Sequence, residues 1–127
     1  MRVYILDIKG KNREQMLNLL YEEGKVTSVE VFDDYIEFIE RVEKSPPDIC
    51  IIRLGIDSIP GMKTASMVQQ ARREIKILFV SENRDYAVNA HEIGVCGYLL
   101  YPICRKKFEN AWHKLVNTIE HNKDSTS

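Results

Sequence analysis

Short apolar runs alternate with segments of helical periodicity along this 127-residue chain, and that alternation constrains its fold more than any other feature. The apolar runs lie at 2–7, 26–32, 48–52, 75–81 and 97–100. Apolar residues in the segments that follow them recur at helical spacing. Strands joined through helices form right-handed crossovers and a parallel sheet that is buried on both faces. The pattern therefore predicts a doubly wound α/β sandwich with five parallel strands and helices on both faces.

Local signals mark where the predicted helices begin and end. Asp33 and Asp34 are N-cap candidates for the second helix, and Gly94 is placed to end the fourth. After residue 120 the chain is polar, so we predict one domain over 1–120 and a disordered tail, or the start of a linker, over 121–127. The last helix has the clearest amphipathic pattern, with apolar residues at Phe108, Ala111, Trp112, Leu115, Val116 and Ile119.

The composition argues against several classes of protein. A formal net charge of -1 gives no support to direct nucleic-acid binding or to a membrane surface. No apolar run approaches the roughly 18 residues that span a membrane. The three cysteines, Cys50, Cys96 and Cys104, lack CxxC spacing, which favours the reducing cytoplasm over a disulfide framework or a zinc site. We expect them to be small packing residues in buried or half-buried positions.

In a doubly wound sheet, ligands bind outside the carboxyl ends of the strands. Asp7 ends the first predicted strand and Ser81 the fourth, while Tyr101 follows the fifth. Arg53 directly follows the third strand, after four consecutive apolar residues. A fixed positive charge at this edge needs an explanation, because an unpaired buried charge is costly.

The sequence resembles the receiver domain of two-component response regulators from Met1 to about Ile119. The resemblance rests on the "PDICII" run, the "PGM" that follows it, and the segment from Ser81 to Ile103. The "YAxxAxxxGxxxYLLxP" rhythm of this segment is similar to receivers that precede LytTR-type DNA-binding domains. The resemblance implies the flavodoxin-like (βα)5 fold and a role in phosphorelay signalling, rather than that of an enzyme.

The resemblance also implies where a phosphorylation site would lie. A working receiver has two acidic residues after the first strand, an accepting Asp after the third, Ser or Thr after the fourth, and Lys before a Pro after the fifth. The acids hold Mg²⁺, the accepting Asp is the nucleophile, and the other groups neutralise the phosphoryl oxygens. At these positions the present chain has Asp7 and Ile8, Arg53, Ser81 and Tyr101.

These replacements predict a degenerate site that has no cofactor. Asp7 is the one acidic position retained, and a cation at Arg53 repels a metal ion. We expect Asp7 and Arg53 to form an ion pair, in a pocket that is neutral because it holds nothing else ionised.

A shift in alignment gives an alternative. The segment between the third strand and Pro60 is longer than in most receivers, so Asp57 could serve as the acceptor and Mg²⁺ as the cofactor. That register would bury Arg53 and Gly55 inside a central strand, so we favour Arg53 at the acceptor position.

Three further residues have roles that the resemblance implies. Tyr98 takes the position of an aromatic switch that is coupled to Ser81, and the peptide bond before Pro102 is expected to be cis. From its residue type alone, Ser81 could equally cap the turn that follows it.

The resemblance places a partner or dimer surface on the fourth helix, fifth strand and fifth helix. In this sequence it comprises residues 84–94, 98–101 and the exposed side of 106–121. An attached DNA-binding domain would lie outside this chain. A flavodoxin-like small-molecule binder is a third interpretation, and the absence of a Gly-rich phosphate loop argues against it.

Overall fold

The computed structural model describes residues 1–8, 10, 13–55 and 59–125, with the side chains of 59 and 121–125 left aside. Strands and helices alternate throughout this part of the chain, which confirms the predicted fold class. The strands are β1 (Arg2–Leu6), β2 (Ser28–Phe32), β3 (Ile49–Arg53), β4 (Lys76–Ser81) and β5 (Gly97–Leu100). The helices are α1 (Arg13–Tyr21), α2 (Tyr35–Lys44), α3 (Ile59–Ala71), α4 (Ala87–Ile93) and α5 (Arg105–Ser125).

The strands form one parallel sheet in the order β2-β1-β3-β4-β5. The direction of winding reverses between β1 and β3, and the carboxyl ends of these two strands therefore border the crevice where such folds bind ligands. In the register, Leu6 pairs with Ile52 and Arg53 pairs with Val80. Asp7 and Arg53 each come one residue further along, so they are neighbours at this edge.

Two apolar cores cover the two faces of the sheet, because successive residues of a strand point to opposite sides. Alternate residues of β1, β3, β4 and β5 pack with α1 and α5 in the first core. Most of the intervening residues pack with α2, α3 and α4 in the second. Burial on both faces explains why the strands read as continuous apolar runs. The largest buried side chains include Trp112 and Phe108 in the first core and Tyr4, Phe38 and Phe79 in the second.

The helix ends agree with most of the local signals. The Asp34 side chain accepts a hydrogen bond from the Glu37 backbone N–H at 2.9 Å, so Asp34 is the N-cap of α2. Gly94 follows α4 in the left-handed conformation, with φ of 92°, as the sequence predicted. Helix α5 continues to Ser125, into the segment 121–127 that we expected to be a disordered tail or the start of a linker. The segment "HNKDS" has no Gly or Pro to stop the helix.

The cysteines correct another expectation, because only Cys50 is buried, whereas Cys96 and Cys104 are exposed. Both exposed cysteines lie in connections, directly before β5 and α5, and connections run over the surface. Burial raises the pKa of the Cys50 thiol. Backbone N–H groups of Lys107 and Lys106 in the first turn of α5 lower the pKa of Cys104. None of the described helices is long and apolar enough to cross a membrane.

The buried face of α2 gives a direct test of the fold. We expect Phe38→Ala, which removes a fully buried ring, to lower the free energy of unfolding by about 3–5 kcal/mol. Ile36→Ala on the same helix is the matched control, because Ile36 is 68% exposed and its loss should change stability by less than about 0.5 kcal/mol. Urea denaturation followed by circular dichroism measures both. Equal effects of the two substitutions would contradict the assigned faces of α2.

Candidate functional site

The carboxyl edge of the sheet brings charged side chains together at the point where the winding reverses. By strand alternation, Asp7 and Arg53 point to the same face as Ile5 and Ile51, which is the face covered by α1 and α5. Tyr101, after β5, packs against that same core. These three predicted site residues therefore form one group.

Arg53 is the centre of this group. Its side chain is only 3% exposed, and its Nη1 lies 3.6 Å from Asp7 Oδ2. The predicted Asp7–Arg53 ion pair is thus confirmed. The other terminal nitrogen, Nη2, donates a hydrogen bond to Glu82 Oε1 at 3.1 Å. Two carboxylates therefore share one buried guanidinium group, which is the condition under which a buried charge is tolerated.

Tyr101 supplies an aromatic surface to the same cation. The guanidinium carbon of Arg53 lies 4.2 Å from the centre of the Tyr101 ring, within the range of a cation–π interaction. Burial raises the pKa of the Tyr101 hydroxyl, and the nearby positive charge of Arg53 partly opposes that rise. The residue at the position expected for lysine therefore contacts a cation instead of supplying one.

Asp7 has further partners on the side of α1. Arg13 Nε lies 3.4 Å from Asp7 Oδ2, and Arg13 Nη2 donates to the Asp7 backbone carbonyl at 3.0 Å. The Gly10 N–H donates to Asp7 Oδ1 at 3.0 Å. Gly10 has φ of 69°, which places it in the left-handed region that favours glycine. Both carboxylate oxygens of Asp7 are therefore engaged by groups of this chain.

Asp7 and Arg53 are not the only ionised groups of this site, contrary to what we expected from the sequence. The structure adds Arg13 and Glu82, so two cations and two anions meet here and the charge still balances. Arg13 is the first residue of α1, and Glu82 directly follows Ser81 at the end of β4. Both residues therefore lie at this same edge of the sheet. Their places at the start of α1 and after β4 could have identified them from the sequence as candidate site residues.

The described residues at this edge do not fit a Mg²⁺ site. Magnesium prefers octahedral oxygen ligands, and carboxylates usually supply the protein's share. Asp7 and Glu82 carry such oxygens, but both face the guanidinium group of Arg53. Ile8, at the second acidic position, is apolar and 47% exposed. In the described part of the chain, no cluster of three or more His, Cys, Asp or Glu residues could hold a metal ion.

Ser81 and Tyr98 form a second group, on the opposite face of the sheet. Ser81 is buried, and its Oγ accepts a hydrogen bond from the Asn83 N–H at 3.0 Å, which is the geometry of a turn cap. The Tyr98 hydroxyl donates to the Asn83 carbonyl. Burial raises the pKa of Tyr98, and a hydrogen bond with Ser81 acts in the opposite direction. Both residues hydrogen-bond to Asn83, and their role as a switch remains a prediction.

Two other predicted features have different outcomes. The Tyr101–Pro102 peptide bond is cis, as the resemblance implied. Asp57, the alternative acceptor, lies outside the described residues, so its distance from the site stays open to experiment.

Comparison with known proteins identifies the family. Residues 3–113 match the family described as response regulator receiver domain, and this chain belongs to it. The transcriptional regulatory protein BtsR of Salmonella typhi is 29% identical over 114 residues, which are 90% of this chain and 47% of that protein. The transcriptional regulatory protein LytR of Staphylococcus aureus strain MW2 is 24% identical over 127 residues, 100% of this chain and 52% of that protein. The chain thus spans about half the length of the curated relatives it matches.

Solved structures support the same fold. The response regulatory domain of protein mrkE from Klebsiella pneumoniae superposes with a TM-score of 0.85 at 22% identity, covering 95% of this chain and 99% of that one. The isolated REC domain of RcsB from Salmonella enterica serovar Typhimurium gives a TM-score of 0.78 at 18% identity, covering 92% and 88%. Both comparisons show the flavodoxin-like receiver fold.

The buried ion pair can be tested by a double-mutant cycle. We expect Asp7→Asn and Arg53→Met to be coupled by about 2 kcal/mol in the free energy of unfolding, because either change alone leaves a buried charge with fewer partners. The matched control is the exposed Arg41–Glu30 pair, which is closer, at 2.9 Å, but has both side chains 44% exposed. Its coupling, from Arg41→Met and Glu30→Gln, should stay below about 1 kcal/mol. A larger coupling in the control would show that distance, not burial, decides the strength of these pairs.

Proposed function

We propose that this receiver domain signals through protein–protein contacts, without phosphorylation on aspartate, as a pseudo-receiver. The observation that carries the proposal is Arg53, buried at the end of β3 between Asp7 and Glu82 and against the Tyr101 ring, where we align the phospho-acceptor. A guanidinium group stays protonated and has no free electron pair, so it cannot act as the nucleophile of phosphoryl transfer. It also occupies the pocket with its own charge.

The relatives suggest the setting of the domain. BtsR and LytR are named as transcriptional regulatory proteins, and this chain matches about half of each. We propose that the whole protein is a cytoplasmic regulator of transcription in which a DNA-binding domain, of the LytTR type suggested by the Ser81–Ile103 segment, accompanies this one. The receiver would then control the output domain rather than contact nucleic acid itself.

The partner surface that we propose consists of α4, β5 and α5. Val88 on α4 is 71% exposed and supplies an apolar side chain for contact at this surface. Lys106 and Lys107, in the first turn of α5, are exposed as well. An apolar contact with charged residues around it suits a surface that binds a second copy of this chain.

Phosphorylation is tested by intact-protein mass after incubation with Mg²⁺ and acetyl phosphate. We expect the wild type to gain no phosphoryl group, because the acceptor position holds Arg53. A receiver with all the usual site residues is the positive control for the donor. Asp57→Asn and Arg53→Asp are run in parallel.

Two results would decide between the interpretations. A base-labile adduct on the wild type that disappears in Asp57→Asn would contradict the proposal and make Asp57 the acceptor of a working site. An adduct that appears only in Arg53→Asp would support the proposed alignment, since it would place the reactive carboxylate at the end of β3.

Self-association is tested separately by light scattering coupled to size exclusion. We expect the wild type to form dimers at high concentration and Val88→Glu to shift it to monomer, because a charge cannot be buried unpaired in an apolar contact. The matched control is Met67→Glu on α3, where Met67 is 50% exposed outside the proposed surface. A wild type that stays monomeric, or a dimer that survives Val88→Glu, would contradict this surface.

A further inference from the structure

Helix α4 buries few of its side chains, so little apolar packing holds it in place. It spans Ala87–Ile93, and Ala90 is the one residue within it that is buried. A helix this short does not form in water without tertiary support, since isolated helices below about 12 residues are marginal. Its C-terminal end is anchored: Ile93 and Val95 pack partly against the second core, and Gln69 donates to the Gly94 carbonyl at 3.2 Å. Its N-terminal end follows the connection formed by residues 82–86.

That connection is tied to three strands at its first two residues. Glu82 is bound to Arg53 at the end of β3, at 3.1 Å. The Asn83 N–H donates to Ser81 Oγ at the end of β4, and the Asn83 carbonyl accepts a hydrogen bond from Tyr98 of β5. Asn83 Oδ1 also accepts from the Asp85 N–H at 2.8 Å, which shapes the turn into α4.

The two partners of the Glu82–Arg53 pair differ in freedom. The Arg53 side chain is 3% exposed and is also held by Asp7 and Tyr101, whereas the Glu82 side chain is 53% exposed. Arg53 therefore cannot follow Glu82 into water, so the pair forms only when the connection lies against the sheet. A charge-assisted hydrogen bond to a buried group is among the stronger contacts available to a loop.

We propose that the Arg53–Glu82 ion pair is a clamp that holds the N-terminal end of α4 in one position, and with it the surface formed by α4 and β5. Its meaning for signalling rests on the proposed function: the surface would be presented without a phosphoryl group, since the charge that fixes the connection belongs to the chain itself. The clamp as a physical device needs only the contacts named above.

Hydrogen–deuterium exchange with mass spectrometry of the full 127-residue chain tests the clamp. The main variant is Glu82→Gln, which keeps the shape and removes the charge, and Glu82→Ala removes the contact altogether. The matched control is Glu92→Gln, the same change of charge at an exposed position of α4 that forms no ion pair with the described part of the chain. Glu82 and Glu92 are both exposed, so all three variants should fold.

We expect exchange in peptides covering 84–96 to become roughly tenfold faster in Glu82→Ala and to rise by a smaller factor in Glu82→Gln. Exchange in β1 and α5 should not change, and Glu92→Gln should match the wild type. Unchanged exchange over 84–96 in Glu82→Ala would overturn the clamp. An equal rise in Glu92→Gln, or a rise over the whole chain, would overturn it too, because neither is specific to this pair.

This outcome is independent of the proposed function. The exchange experiment uses no phosphodonor and does not depend on dimers. If the wild type accepts a phosphoryl group while Glu82→Ala loosens 84–96, the proposed function fails and the clamp stands. If the wild type accepts none and α4 is unaffected, the clamp fails and the proposed function stands.

Discussion

A guanidinium group buried at the edge of a parallel sheet has to be neutralised where it lies, and that requirement organises the site of this protein. For unit charges at the observed 3.6 Å, attraction between Arg53 and Asp7 amounts to about 4–5 kcal/mol at an effective dielectric constant of about 20. Removing each ion from water costs several kcal/mol. Desolvation of two ions offsets this attraction, so the pair mainly fixes geometry. Glu82 and the Tyr101 ring complete the enclosure of the cation.

The edge of the sheet that holds Arg53 is also the edge where receivers bind their ligands. In receivers this edge gathers carboxylates for a metal and a phosphoryl group, and both ligands are brought from outside. Here the charge balance is internal, because Arg53 and Arg13 stand opposite Asp7 and Glu82. A site that is balanced by its own side chains has no electrostatic demand for a ligand. This internal balance is the physical basis of our proposal that the domain signals without phosphorylation on aspartate.

The second group of site residues, Ser81 and Tyr98, contacts the connection that joins the edge of the sheet to helix α4. Ser81 and Tyr98 lie on the opposite face of the sheet from Arg53. All three residues form hydrogen bonds with the connection before α4, at Glu82 or Asn83. Glu82 contacts one face, and Asn83 contacts the other. A short helix with little buried surface takes its position from such a connection. The charge of Arg53 on β3 and the position of the exposed helix α4 are therefore linked through this connection.

The sequence by itself determined the order of the elements and the burial of the sheet on both faces, since strand and helix periodicity are local patterns. The family resemblance of the sequence indicated the approach of Asp7 to Arg53. Only the tertiary structure showed that Glu82 and the Tyr101 ring join Asp7 around Arg53. Glu82 is 29 positions from it in sequence, and only the pairing of β3 with β4 brings them together. Tyr101 turns its ring to the cation for the same reason, because β5 ends beside β4. The place of Glu82 directly after β4 indicated the edge of the sheet but not its partner, because the strand order decides which side chains meet there.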